Sequence, residues 1–231
     1  MAFIKPILFL LLAGGGVTLA AYLFQEKLIF YPQRGIFAPD HERYADQELR
    51  LKRRSGNGEV GLHGWLLRSA SEKGEPPTSL AIYYGGNAEE VSLNLDDLQR
   101  LPVDAILLMN YRGYGLSEGR PGEADLVADA LWVLDTVTAD LGIAPGQVVL
   151  MGRSLGTGVA VQVAARRAVA GLILVTPFDS LVSVARRHYP FLPAGRLLRH
   201  RFDSLGLAPQ RMQPALMLVA AEDAIIPNAC S

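Results

Sequence analysis

The residue whose surroundings most directly suggest chemistry is Ser154, at the centre of the sequence Gly-Arg-Ser-Leu-Gly at 152–156. It follows the apolar run 148–151 and precedes the helical stretch 155–168, so the sequence predicts a strand, a tight turn and a helix. A serine held on such a turn can attack a carbonyl carbon as a nucleophile. The flanking glycines leave room where strand and helix must approach each other. We therefore predict that Ser154 is the nucleophile of an acyl-transfer reaction.

The same spacing occurs a second time around Ser117, at residues 115–119. The Arg-Pro-Gly sequence that follows at 120–122 does not suit the start of a helix in that register. Because the strand, turn and helix are missing there, we predict a structural role for Ser117.

Acyl transfer also needs hydrogen-bond donors for the negatively charged tetrahedral intermediate. The sequence Gly-Gly-Asn-Ala at 85–88 follows the apolar run 80–84 and suits a loop that presents a backbone N–H at the end of a strand. The residue after the nucleophile supplies the second donor in this arrangement. We therefore predict an oxyanion hole made of the amides of Asn87 and Leu155.

The pattern of apolar runs predicts the elements that position these residues. Residues 48–53 and 60–67 alternate around a Ser-Gly-Asn-Gly turn at 55–58, which predicts an antiparallel hairpin. Short apolar runs then alternate with stretches of helical length, which predicts right-handed crossovers and a mostly parallel sheet covered on both faces. The runs are 80–84, 105–109, 148–151, 172–175 and 215–220.

The N-terminus is the most apolar part of the chain. Residues 6–24 carry no charge, and nineteen helical residues span about 28 Å, close to the thickness of a bilayer's hydrocarbon core. We expect a single-pass membrane anchor at 1–25, with a cleaved signal peptide or a buried core helix as alternatives. The position of Lys5 favours a domain on the non-cytoplasmic side. A linker at 26–47 and the domain that contains Ser154, at 48–231, would follow.

Composition limits the partners. A formal net charge of −1 gives no global field that would attract nucleic acid, and the single cysteine, Cys230, excludes a disulfide framework. No metal-ligand spacing and no dinucleotide-binding pattern occur, so we expect no cofactor and no metal.

Between Arg186 and Arg201, in an expected cap segment at 179–212, arginines and aromatics alternate without an acid. This basic segment is either a solvated face of the domain or a surface that contacts anionic lipid head groups. Oligomeric state is not determined.

Several motifs together resemble one family. They are the run 25–32 after the apolar span, the Gly-Asn-Ala loop at 86–88, the run 111–119, the Gly-Arg-Ser-Leu-Gly sequence, and Asp223 followed by Ile-Ile-Pro at 225–227. The chain resembles the membrane-anchored α/β-hydrolases of the serine-aminopeptidase-like superfamily, relatives of monotopic depalmitoylating hydrolases. The resemblance implies an α/β-hydrolase fold, Ser154 as nucleophile, and a small-molecule or lipid-like acyl substrate that is an ester, thioester or amide.

The resemblance also implies that Asp223 is the acid that orients a histidine. Its position agrees, since it follows the apolar run 215–220 by a short loop and comes after the serine in the order serine, acid, histidine. Glu222 is the nearest alternative. Yet no histidine follows Asp223, and the four histidines, His41, His63, His188 and His200, all precede it.

We therefore expect a chain that ends before the last strand and helix of the fold and is nearly inert. Loss of the base from a serine triad costs on the order of a millionfold in turnover in a well-measured protease. The alternative is a catalytically dead, membrane-tethered relative that binds an acyl ligand or a protein.

Overall fold

A computed structural model describes residues 4–35, 37–56, 58–68, 76–208, 213–221, 226 and 230, with side chains in the first helix from residue 15 onward. Its centre is a seven-stranded sheet in the order β1-β2-β4-β3-β5-β6-β7. The strands are β1 (Glu48–Ser55), β2 (Gly58–Arg68), β3 (Leu80–Tyr84), β4 (Ala105–Met109), β5 (Val148–Arg153), β6 (Gly171–Val175) and β7 (Ala215–Leu218).

The pairing of the strands agrees with the apolar pattern. Strands β1 and β2 pair antiparallel, and β2 also pairs antiparallel with β4. From β4 to β7 every pair is parallel. The prediction of a mostly parallel sheet with an N-terminal antiparallel pair is confirmed. Strands β3 and β4 are buried along their whole length, as expected for strands covered on both faces, whereas β7 at the sheet edge is exposed throughout.

Helices cover both faces of the sheet. The longest after the N-terminal one is α3, which ends at Gly142 in a left-handed conformation that glycine adopts without steric cost. The helices are α1 (Ile4–Ile29), α2 (Leu95–Leu98), α3 (Glu123–Leu141), α4 (Leu155–Ala164), α5 (Leu181–His188), α6 (Ala194–Leu197) and α7 (Ser204–Leu207). Three-ten helices span His41–Gln47, Val91–Asn94 and Pro145–Gln147.

The N-terminal helix corrects one prediction. In the part of the chain that the structure describes, no helix is long and apolar enough to cross a bilayer, so the expected anchor at 1–25, the membrane as a partner and the non-cytoplasmic location are not supported. Helix α1 does not end where the uncharged run ends but continues through Gln25, Glu26 and Lys27. Gln25 is buried, donating to the carbonyl oxygen of Leu197 at 3.2 Å and accepting the N–H of Arg199 at 2.8 Å. The last turns of α1 therefore contact the folded domain.

At the end of α1 the chain crosses the carboxyl edge of the sheet. We call residues 29–34 the strap; they are the last residue of α1 and the irregular segment that follows it. Phe30 is buried and packs edge-on against the rings of His200 and Phe202, at 5.1 and 6.4 Å between centroids. The carbonyl oxygen of Gln33 accepts the N–H of Gly115 at 2.7 Å. Arg34 donates from Nε to the carbonyl oxygen of Gly113 at 2.8 Å. The strap is therefore attached along its length to the domain.

Candidate active site

Ser154 lies between β5 and α4, on a backbone turn with φ +50° and ψ −118°. A residue with a Cβ rarely adopts this conformation, at a cost of about 1–3 kcal/mol. Its N–H is held by the carbonyl oxygen of Val175 at 2.9 Å, and its carbonyl oxygen accepts the N–H and the hydroxyl of Thr157 at 2.9 and 2.7 Å. The turn is therefore fixed from both sides while the side chain remains half-buried.

The two glycines of the motif allow very close backbone contacts. A Cβ added to Gly156 would lie 2.0 Å from the carbonyl oxygen of Tyr84, and one added to Gly152 would lie 2.5 Å from the carbonyl oxygen of Gly156. Such contacts with backbone atoms leave no space for a side chain. The start of α4 thus packs directly against the end of β3. This contact places the loop after β3 beside Ser154.

Backbone strain is concentrated at this edge of the sheet. Within the described residues, the non-glycine residues with positive φ are Ala88, Ser154, Thr176 and Phe202. Ser154 and Thr176 directly follow parallel strands, and Ala88 lies in the loop after a third. Strained residues of this kind cluster at functional sites, and ligands of open parallel sheets bind beyond the carboxyl ends of the strands. The strain therefore marks the same edge that the sequence motifs predict.

The loop after β3 approaches Ser154 closely. A Cβ built on Gly86 would lie 3.8 Å from the Cβ of Ser154 and 3.7 Å from the carbonyl oxygen of Arg153. The structure therefore places Gly86, the residue before Asn87, beside Ser154.

Within the described part of the chain, the two predicted amide donors have no competing acceptor. The N–H groups of Asn87 and Leu155 donate to no acceptor within the described residues, whereas the neighbouring N–H of Gly86 is taken by Glu89 at 3.0 Å. Leu155 is the first residue of α4, where the helix leaves its N–H groups unpaired. Two unpaired N–H groups beside a serine can stabilise the oxyanion of a tetrahedral intermediate.

Glu89 is a supporting residue that the sequence reasoning missed. Its buried carboxylate accepts the N–H of Gly86 and, at 2.7 Å, the hydroxyl of Tyr83, and it lies 3.4 Å from the guanidinium of Arg153. Burial, and after it the charge of Glu89, raises the pKa of Tyr83, so its hydroxyl stays protonated and donates. Glu89 thus ties the loop after β3 to the residue before Ser154. Its only local sequence signal is an acid three residues after a glycine.

A second supporting residue is Tyr111, whose hydroxyl donates to the carbonyl oxygen of Gly85 at 2.8 Å. Burial strongly raises the pKa of this hydroxyl, so it too remains a donor. Ser117 has the structural role predicted from its motif, since its buried hydroxyl donates to the carbonyl oxygen of Asn110 and accepts the N–H of His63.

Asp223, with its neighbour Glu222, lies outside the described residues, as does most of the chain after Ile226. The predicted acid therefore stays a prediction.

All four histidine rings lie within the described residues, and three of them have hydrogen-bonding partners at known distances. His41 contacts the carbonyl oxygen of Ala38 at 2.7 Å. His63 is buried with Nε2 2.9 Å from the carboxylate of Glu48. His200 accepts the N–H of Glu123 at Nδ1, 3.1 Å away, and so caps the start of α3. His188 is the last residue of α5 and is exposed beside the ring of Tyr189.

The two buried histidines predict a pH-dependent stability. Burial lowers the pKa of both His63 and His200 below the ordinary 6.5, and this outweighs the attraction of Glu48 and of Glu26 respectively. Below pH 6.5 the unfolded chain therefore binds protons that the folded chain does not. The contribution of the two neutral rings to the free energy of unfolding is complete above that pH and is lost as the pH falls. We expect the urea midpoint to fall between about pH 7.5 and about pH 5.5.

The matched test uses His63→Gln and His200→Gln, because each substitution removes one titrating group. Each variant should show a shallower fall in urea midpoint over the same pH range than the unmodified protein, whatever its absolute stability. A midpoint that does not change over this range would show that the two rings are protonated as easily in the folded chain as in the unfolded one.

A cavity of about 630 Å³ lies beside the start of α3, and Ser154 is not one of the residues that line it. Its walls come from α1, α3, α4 and the segment before α7, and they include Glu26, Gln162, Arg166 and Arg199. Within the described residues no group of three or more His, Cys, Asp or Glu side chains is placed to hold a metal ion.

A strained serine between a parallel strand and a helix, with a glycine-rich loop beside it, is the arrangement of the α/β-hydrolase fold. The sequence model described as "Alpha/beta hydrolase family" matches residues 60–227, most of the chain. The chain belongs to the α/β hydrolase family.

Two relatives illustrate the similarity in sequence. The uncharacterised protein Rv2307c of Mycobacterium tuberculosis is 32% identical over 224 residues, which cover 95% of this chain and 77% of that protein. The α/β hydrolase domain-containing protein WAV2 of Arabidopsis thaliana is 25% identical over 242 residues, which cover 92% of this chain and 76% of that protein. The chain thus spans about three quarters of the length of these relatives.

Solved structures confirm the predicted fold. An α/β hydrolase from Vibrio vulnificus has a TM-score of 0.58 at 18% identity, over 83% of this chain and 80% of that one. The esterase Pf2001 of Pyrococcus furiosus has a TM-score of 0.60 at 13% identity, over 87% of this chain and 80% of that one. At these identities the likeness concerns the fold alone.

Proposed function

We propose that this chain carries the nucleophile and oxyanion hole of a serine hydrolase that cleaves carboxylic esters, thioesters or amides through an acyl-enzyme. The observation that carries the proposal is the strained turn at Ser154. On the adjoining segments, the amides of Asn87 and Leu155 have no acceptor among the residues that the structure describes. Membership of the α/β hydrolase family supports it.

The reaction would begin with attack of the Ser154 Oγ on the carbonyl carbon of the substrate, while a base removes the hydroxyl proton. The developing oxyanion would accept hydrogen bonds from the amides of Asn87 and Leu155. The protonated base would give its proton to the leaving alcohol, thiol or amine as the acyl-enzyme forms. Water activated by the same base would then hydrolyse the acyl-enzyme and release the acid and the free serine.

We further propose that the base is a histidine outside these 231 residues, oriented by Asp223. Two observations support this. The rings of His41, His63 and His200 are engaged by other groups. The curated relatives are longer than this chain, which covers 77% of Rv2307c. The 231-residue chain alone should then turn over substrate on the order of a millionfold more slowly than a form that contains the base.

The engaged histidines also favour a second candidate, a hydrolase-like protein that binds an acyl ligand or a protein without cleaving it. The two candidates differ in whether Ser154 is reactive.

A fluorophosphonate probe, which phosphonylates activated serines, distinguishes the candidates. We expect the longest natural form of the protein to be labelled, Ser154→Ala to lose the labelling, and Ser117→Ala to keep it. Ser117→Ala is the matched control because Ser117 has the same Gly-x-Ser-x-Gly spacing but a buried, hydrogen-bonded hydroxyl. No labelling in either the longest form or the 231-residue chain would overturn the hydrolase proposal and favour the binding protein.

A further inference from the structure

The side chain of Asn87 connects the loop after β3 to two distant segments. Its Oδ1 accepts the N–H of Tyr31 at 3.0 Å and the hydroxyl of Tyr114 at 2.8 Å. Its Nδ2 donates to the carbonyl oxygen of Ile29 at 2.5 Å. The carboxamide therefore uses both its acceptor and its donor end, and the partners fix its orientation.

These partners are the strap and the loop after β4. The Oδ1 also accepts the N–H of the adjacent Ala88 at 3.1 Å. Two of the three bonds to distant segments come from backbone atoms of the strap, so they are available whatever side chains the strap carries. The third comes from Tyr114, a fully buried residue whose pKa is raised by burial, so that its hydroxyl remains a donor.

We propose that the strap is a positioning element of the active site, which holds the side chain of Asn87 so that the backbone N–H of the same residue faces the oxyanion. Asn87 then has two separate roles, an amide that contacts the reacting atoms and a carboxamide that fixes where this amide lies. The hydroxyl of Tyr114 and the backbone of residues 29–31 are positioning groups that act through Asn87. The inference rests on the proposed function.

The strap meets the first requirement of such an element, which is that it be fixed itself. Phe30 is 3% exposed and lies between Asn87's two backbone partners in the sequence, so the bonded segment is anchored at its centre. Arg34 holds the far end through Gly113, and Gln33 binds Gly115, in the same loop that contains Tyr114. The strap and Tyr114 therefore form one connected support.

The loop itself requires such support. Ala88, the residue after Asn87, has a φ of +55°, a left-handed conformation that is strained for alanine. Glu89 and Tyr111 hold Gly86 and Gly85 on one side of Asn87. The strap and Tyr114 supply the fixation at Asn87 itself. Oxyanion donors act only when they are held before the reaction, and a displacement of about 1 Å can cost about a hundredfold in rate.

The test is ester hydrolysis by the longest natural form of the protein, with p-nitrophenyl butyrate as substrate. Asn87→Ala keeps the backbone N–H and removes every side-chain bond, so we expect kcat to fall about a hundredfold with KM changed by less than about twofold. Tyr114→Phe removes one bond and keeps the ring, so we expect a smaller fall in kcat, about tenfold. A purely structural role would lower thermal stability without this selective loss of kcat.

The matched control is Tyr44→Phe. Tyr44 is also buried, and its hydroxyl donates to Asp96 at 2.5 Å, but it belongs to the core on the opposite face of the sheet. We expect Tyr44→Phe to lower thermal stability about as much as Tyr114→Phe and to leave kcat unchanged.

The outcomes distinguish a failure of the proposed function from a failure of the positioning role of the strap. If the unmodified protein shows no turnover that depends on Ser154, the proposed function fails and this inference fails with it. If it turns over substrate and Tyr114→Phe lowers kcat no more than Tyr44→Phe does, the positioning role alone is overturned. If Asn87→Ala does not fold, Tyr114→Phe still tests the positioning role by itself.

Discussion

Replacing Gly156 by alanine is expected to lower the free energy of unfolding by about 4 kcal/mol or more, or to prevent folding altogether. The added Cβ would lie 2.0 Å from the carbonyl oxygen of Tyr84, 2.6 Å from its carbonyl carbon and 2.7 Å from the carbonyl oxygen of Gly85. All three are backbone atoms, two at the end of the central, buried strand β3 and one in the residue directly after it, so they cannot rotate away as a side chain would. Urea denaturation followed by circular dichroism would measure the loss.

The matched control is Gly146→Ala. Nothing lies within 4 Å of a Cβ at Gly146, in the three-ten helix before β5, and its backbone conformation is not left-handed. Its free energy of unfolding should change by less than about 1 kcal/mol. If the two variants were equally stable, the close approach of α4 to the end of β3 would be wrong, and with it the placement of the glycine-rich loop beside Ser154.

Replacing Ser154 by glycine is expected to have opposite effects on activity and stability. Turnover by an active form of the protein should fall on the order of a millionfold, as in a protease that has lost its nucleophile. The free energy of unfolding should rise by about 1 kcal/mol, because glycine removes about 1–3 kcal/mol of strain and adds about 0.5–1 kcal/mol of unfolded-state entropy. The melting temperature should then rise by about 3 °C.

Ser154→Ala separates these two effects. Alanine lacks the hydroxyl but keeps a Cβ at a φ of +50°, so turnover should be lost while the melting temperature stays within about 1 °C of the unmodified protein. A glycine variant no more stable than the alanine variant would contradict the strained turn. Turnover that survives both substitutions would contradict the role of Ser154.

The sheet was predictable because its strands are short apolar runs. The runs 80–84 and 105–109 agree residue for residue with β3 and β4, since a strand buried on both faces has apolar residues at every position. The run 215–220 contains a strand as well, β7 at Ala215–Leu218, but the structure leaves it exposed at the sheet edge. An apolar run predicts a strand, but it does not predict which neighbouring elements pack on that strand.

The same limit explains the N-terminal helix. The uncharged run at 6–24 has the length of a membrane span, but the helix continues through Gln25, which is buried against the domain by hydrogen bonds to Leu197 and Arg199. These partners lie more than 170 residues away in the chain. No local pattern contains a contact of that kind.

By itself, the sequence determined the order of strands and helices, the position of Ser154 on the turn after β5, and the glycines that this turn needs, because each depends on residues close together in the chain. Tertiary structure alone decided how the site is supported: the strap on Asn87, the carboxylate of Glu89 between Gly86 and Arg153, and the use of His200 to cap α3. These contacts join backbone and side-chain atoms from segments that are far apart in the chain and meet only when the sheet is assembled. Residue type and local spacing therefore do not predict them.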